Sequence, residues 1–183
     1  MSTGSRAHHI VASLALLALP LTAPPALPAE GGPRAPAAAA AATHVPMDRA
    51  SYFGGGNLQA IWKDLESRQA INQRIVEGGS YSVNVRIVRP DDGPLVHGSS
   101  ADVWIVQAGT ATAVTGGELL EPAKRASTDD IAGKSIRGGA EQALKQGDVV
   151  FVPPGVPHAF SNLKGFRALL IRFDVPAPAG ARP

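Results

Sequence analysis

The sequence has no cysteine in its 183 residues. Disulfide staples, thiolate zinc sites, iron–sulfur clusters and cysteine nucleophiles are thereby excluded, so a packed interior must hold the fold and other side chains must carry any chemistry. A concentrated positive charge is also lacking. Arg6, Arg34, Arg182 and Glu30 lie outside residues 44–176, so of the 17 basic and 15 acidic side chains equal numbers fall inside that stretch. The sequence pI near 9.2 comes from the ends, and without a clustered Lys/Arg face no nucleic-acid partner is expected. Long apolar runs are missing too. The longest, Ile10 to Leu19, is roughly half of what a helix needs to cross a bilayer. There is no internal repeat, no nucleophile elbow and no Ser/His/Asp constellation.

What is present divides the chain into segments. Arg6, His8 and His9 precede the apolar run, and Pro20 and small residues follow it as far as Leu27-Pro28-Ala29. That is the layout of a secretory signal, so residues 1–29 are expected to be a signal peptide cleaved after Ala29, leaving an exported protein with no membrane association. Residues 30–43 contain six consecutive alanines with Gly and Pro and no large apolar side chain, and read as a linker. Residues 177–183 have the same character and are expected to be a disordered tail. The intervening 44–176 is long enough for one hydrophobic interior.

Within that domain one helical period stands out. Leu58, Ile61, Trp62 and Leu65 fall at i, i+3, i+4 and i+7 after Gly54-Gly55-Gly56, which predicts an amphipathic helix near 57–69 with Trp62 in the core. The glycines have no preceding strand and no Gly-Lys-Ser/Thr ending, so they read as a flexible entry and not a phosphate cradle. From Ser80 the pattern changes to short β-branched runs: Tyr81 to Val88, Val103 to Val106, Thr110 to Thr115, Val149 to Val152 and Arg167 to Val175, separated by turn residues. The fold class is therefore all-β, a small antiparallel barrel or sandwich with one N-terminal helix. Leu120 to Gln146 is mostly polar and reads as a long connection.

Three histidines lie beyond the signal: His44, His97 and His158. The last follows Gly147-Asp148, four apolar residues and the Pro153–Pro157 corner, which is a turn, a buried strand and a rigid bend that aims His158 into a new strand. The spacing is G-x5-P-x-G-x2-H-x3-N, carried by Gly147, Pro153, Gly155, His158 and Asn162. At every one of these positions it resembles the second motif of the cupin superfamily. That resemblance covers about residues 80–175 and implies a jelly-roll barrel with a metal-binding cavity.

The first cupin motif, G-x5-H-x-H-x3-4-E-x6-G, is matched in part. Asp102 and Gly109 have six residues between them and His97 and Asp102 four, so His97 takes the second histidine position, Leu95 replaces the first, and Asp102 replaces the glutamate. The resemblance then implies His97, Asp102 and His158 as metal ligands, a set of two imidazoles and one carboxylate that suits Fe(II) or similar ions, with Mn, Ni and Zn as the other candidates. Asp is shorter than Glu by one methylene, about 1.5 Å of reach, so ligation requires a closer strand or a bridging water. Each residue has an ordinary alternative: a hydrogen-bonded turn histidine, or a solvated acid at a strand start.

Strand parity nominates further residues. Trp104 shares a face with Asp102, and Phe160 and Asn162 share one with His158, so Trp104 and Phe160 would line the cavity and Asn162 would close the next turn. Arg86 and Arg172 lie in strands, and an inward arginine would favour an anionic ligand, the alternative being an outward, solvated one. Asp91-Asp92 and Asp129-Asp130 read as turn residues, and His44 as inert. Three functions follow: a metal-binding module for a small anionic or oxygenated molecule; a metal-dependent enzyme of dioxygenase, isomerase or decarboxylase type; or a metal-free binding or structural barrel. The resemblance also implies a homodimer paired through strand edges.

Overall fold

The computed structural model describes residue 45 and residues 48–176. The expected signal, the linker, His44 and the tail lie outside the described residues.

Helix α1 spans Gly55–Ser67. It begins two residues before the apolar period predicts, because Gly55 and Gly56 join its first turn while Gly54 stays extended and supplies no side-chain cap. Just beyond its end Gln69 takes a left-handed conformation at φ 54°, and the Ala70 amide returns to the Leu65 carbonyl at 2.8 Å. Trp62 and Leu65 are buried and pack against Ile75 and Val85. Each such large apolar side chain contributes about 1.5–3 kcal/mol of burial.

The rest is strand, antiparallel throughout: β1 (Asn72–Glu77), β2 (Tyr81–Ile87), β3 (Leu95–Val96), β4 (Ser100–Thr115), β5 (Glu118–Leu120), β6 (Ala123–Lys124), β7 (Ile131–Ala132), β8 (Ser135–Arg137), β9 (Ala140–Lys145), β10 (Val149–Val152) and β11 (His158–Asp174). The all-β, one-helix class agrees with the sequence pattern. Two boundaries do not. β1 precedes the expected start near residue 80; its register shifts between Arg74 and Val76, which spoils the period-two pattern that marks a strand. The stretch expected to be a plain connection holds β5 to β9, short pairs whose polar side chains face solvent and leave no apolar alternation to read.

The two long strands, β4 and β11, organise the sheet. They pair from Asp174 opposite Ser100, through Arg172 opposite Asp102, to His158 opposite Thr115, with the register disturbed between Ser161 and Ala168. On one side of that disturbance the ribbon is flanked by β2 and β10, on the other by β3 and β9. Gly109 sits at the crease with φ 72°; a Cβ there would lie 2.3 Å from the Lys164 and Gly165 carbonyl oxygens, so only glycine permits the approach. Asn162 does not close a turn. It stays within β11 in a left-handed conformation, φ 51°, and donates to Thr112 Oγ1 at 3.2 Å, so the departure from strand geometry is absorbed as part of the irregularity.

Parity then decides what each face meets. Asp102, Trp104 and Val106 of β4 and Phe166, Ala168 and Leu170 of β11 turn to one buried side. On β2, Val83, Val85 and Ile87 pack beneath the helix, while Ser82, Asn84 and Arg86 line a cavity on the opposite face.

Candidate functional site

His97 lies between β3 and β4, and its carbonyl accepts the Gly155 amide at 2.8 Å. This bond ties the loop carrying His97 to the Pro-rich corner that aims His158. Gly155 adopts φ 77° at that corner and Gly147 φ 92° at the turn entering β10, so the motif glycines stand where left-handed backbone is required. His158 opens β11 opposite Leu95, so the residue in place of the first cupin histidine is its cross-strand neighbour.

His97, Asp102 and His158 are all buried. Their ligand atoms lie within 4.8 Å of one another and could hold a metal ion. Nε2 of His97 is 3.3 Å and Nε2 of His158 3.8 Å from Asp102 Oδ2. Each ring is oriented from behind: His97 Nδ1 meets Asp130 Oδ1 at 2.6 Å and His158 Nδ1 meets the Val156 carbonyl at 3.2 Å. These acceptors assign the ring proton to Nδ1 and turn both Nε2 lone pairs inward, as a ligand pair requires.

A fourth residue alters that arrangement. Arg172, directly across the ribbon from Asp102, donates from Nε to Oδ1 at 2.7 Å and from Nη2 to Oδ2 at 2.8 Å, and the same Nη2 stands 2.6 Å from His97 Nε2. Both carboxylate oxygens and one imidazole lone pair are thus engaged by a cation. The donor set fits a divalent ion in kind and spacing; with Arg172 in this position, two of its three members are already taken.

The charges respond accordingly. Burial alone would raise the Asp102 carboxyl, but the Arg172 fork reverses this and holds it well below the usual carboxylate range. Asp130 is lowered too, against a smaller burial penalty, chiefly by His97. Burial lowers the His158 imidazole and so favours its neutral form. It also pulls on Arg172, but Asp102 more than offsets this and raises that guanidinium, whereas Arg86 is lowered, burial outweighing its partner Asp92.

His97, Asp130 and His158 border a cavity of about 340 Å³ whose lining also includes Arg74, Arg86, Arg125, Arg172, Trp104 and Phe160. Arg86 pairs with Asp92 at 3.1 Å. Trp104 and Phe160 form an aromatic wall with ring centroids 4.6 Å apart. Trp104 is buried, yet its Nε1–H has no acceptor among the described residues. A buried donor without a partner costs free energy.

The structure therefore brings His97, Asp102 and His158 together and lines the cavity with Trp104, Phe160, Arg86 and Arg172. Asp92 and Asp130 lie in turns and loops as read, but each has a partner there: Asp92 pairs with Arg86, and Asp130 is buried behind His97. No local pattern marks Asp130, because it approaches from 33 residues downstream of its partner. Arg74 and Arg125 were also missed, the first on the unrecognised β1 and the second in the supposed connection.

No protein-family model matches the sequence, and no curated protein matches it. Solved structures show partial likeness. An uncharacterised Klebsiella pneumoniae protein with a double-stranded beta-helix domain is 21% identical, with a TM-score of 0.42 over 59% of this chain and 75% of that one. A Bacillus halodurans protein is 13% identical, with a TM-score of 0.41 over 64% and 80%. Cobalt(II) HppE in complex with Tris buffer is 21% identical, with a TM-score of 0.38 over 57% and 52%.

Proposed function

We propose that this protein is an exported cupin-type barrel whose cavity binds a small oxyanion, in the first instance an aromatic carboxylate. The layout of residues 1–29 supports export, and the second cupin motif together with the creased β4–β11 ribbon supports barrel closure. The observation that carries the ligand class is the set of arginines, Arg74, Arg86, Arg125 and Arg172, that line the cavity beside Trp104 and Phe160. An oxyanion supplies the charge and the acceptor atoms that the guanidinium groups favour. The aromatic pair offers a flat apolar surface for the remainder of the molecule.

Isothermal titration of the mature domain with phosphate, acetate, succinate, benzoate and neutral benzamide tests this reading. Benzoate should bind about tenfold or more tightly than benzamide, the difference that one charge-assisted hydrogen bond supplies. Equal binding of the two, or no response to any anion, overturns it.

A second reading is favoured by the His97, Asp102 and His158 cluster: the cavity also takes a divalent ion. Iron, manganese, nickel and zinc all suit two imidazoles and a carboxylate.

A further inference from the structure

We propose that Arg172 and a divalent metal ion are rival occupants of one set of donor atoms, so that the guanidinium keeps the His97, Asp102 and His158 site closed to metal while it stays in place. The inference rests on the second reading above and says what controls the site. A coordinate bond to His97 needs the Nε2 lone pair, because Nδ1 carries the proton given to Asp130. That lone pair faces Arg172 Nη2 at 2.6 Å, and the same nitrogen donates to Asp102 Oδ2 at 2.8 Å. Arg172 Nε holds the other carboxylate oxygen. One planar group thus spans the two donors that a metal would have to bridge. Hydrogen bond and coordinate bond cannot use one lone pair at once, and a guanidinium beside a divalent ion adds like-charge repulsion at close range.

The geometry also allows the guanidinium to leave. Its side chain is 33% exposed while that of Asp102 is fully buried, and the cavity it borders has room for a swung-out conformer. A cation fixed only to neutralise Asp102 would need the carboxylate fork alone; the added contact to His97 is what makes it span the metal donors.

The test is a Co(II) titration of chelator-treated protein, followed by visible ligand-field absorption and by calorimetry, on the parent, Arg172→Met and Arg172→Gln. Removing the guanidinium should tighten Co(II) binding by about tenfold or more in either variant, as the lone pair and the carboxylate become free. The Gln variant, which keeps a polar group beside Asp102, decides the matter where the Met variant fails to fold. Parent-like or weaker binding in the folded variants, with the parent itself binding, overturns the rivalry and leaves the metal reading standing. Absence of binding in parent and variants alike overturns both.

Discussion

Strand β2 shows its two faces to two different environments. Toward α1, Val83, Val85 and Ile87 meet Trp62, Leu65 and Ile75 in an apolar contact whose one polar side-chain group, the Trp62 indole N–H, donates to the Arg86 carbonyl at 3.4 Å. Toward the cavity, Ser82 and Asn84 are just as buried, but each polar atom needs a partner: Asn84 Nδ2 donates to Ser82 Oγ at 3.0 Å and to the Leu170 carbonyl at 3.3 Å, and its Oδ1 accepts from Asn72 at 3.3 Å. The helix side is a packing contact with a large favourable transfer term. The cavity side holds desolvated polar groups whose net contribution to stability is small even when satisfied. Stability and ligand chemistry are thus assigned to opposite faces of one strand, and the first offsets the cost of the second.

The comparison makes sharp demands. Its largest consequence is for Trp62→Ala, which should cost about 3–5 kcal/mol in urea unfolding, the range for deleting a buried aromatic, while benzoate affinity of the folded fraction stays at the parent value. Joint loss of stability and affinity would mean that the two faces are not separable. The converse substitution, Arg86→Met, should weaken benzoate about tenfold in calorimetry and move the unfolding free energy by about 1 kcal/mol or less, as expected for a partly exposed ion pair with Asp92. A large stability loss there would place Arg86 among the structural residues instead.

The smallest effect is that of pH. Burial lowers the folded-state pKa of His158 below its ordinary 6.5, so the unfolded chain binds more protons in that window. The stability associated with neutral His158 is complete above 6.5 and is lost as pH falls through its folded value. The Asp102 and Asp130 contributions have the same sign but begin to be lost only near their unfolded value of 3.8. Urea midpoints of chelator-treated protein between about pH 8 and pH 5 should therefore decline toward acid in the parent and stay flatter in His158→Leu. Parallel curves for the two would remove His158 from the account.

Much of this was legible because it is local. The i, i+3, i+4, i+7 spacing announces α1, and the motif from Gly147 to Asn162 encodes its own turn, strand and corner, so His158 is aimed by residues within a dozen positions of it. What escaped is long-range or out of phase. The shift between Arg74 and Val76 hides β1. Arg172 looks like any strand arginine until register sets it opposite Asp102, 70 residues away, and Asp130 acquires meaning only when the chain returns beneath His97. The inward side of β2 runs against hydrophobicity as a guide, since its polar residues are the cavity-facing ones.

The position of β11 carries a consequence for how the chain acquires its structure. The strand that the sheet is built around is the last of the described strands in chain order: it lies between β2 and the first half of β4, and its bonds reach back across as many as 101 residues. Loop closure over such distances must precede any gain from pairing, which places this topology among the slower folders. Until residue 158 and beyond have emerged, β2 and β4 each present an open edge, and the principal hazard for the nascent protein is an intermolecular partner that reaches those edges first.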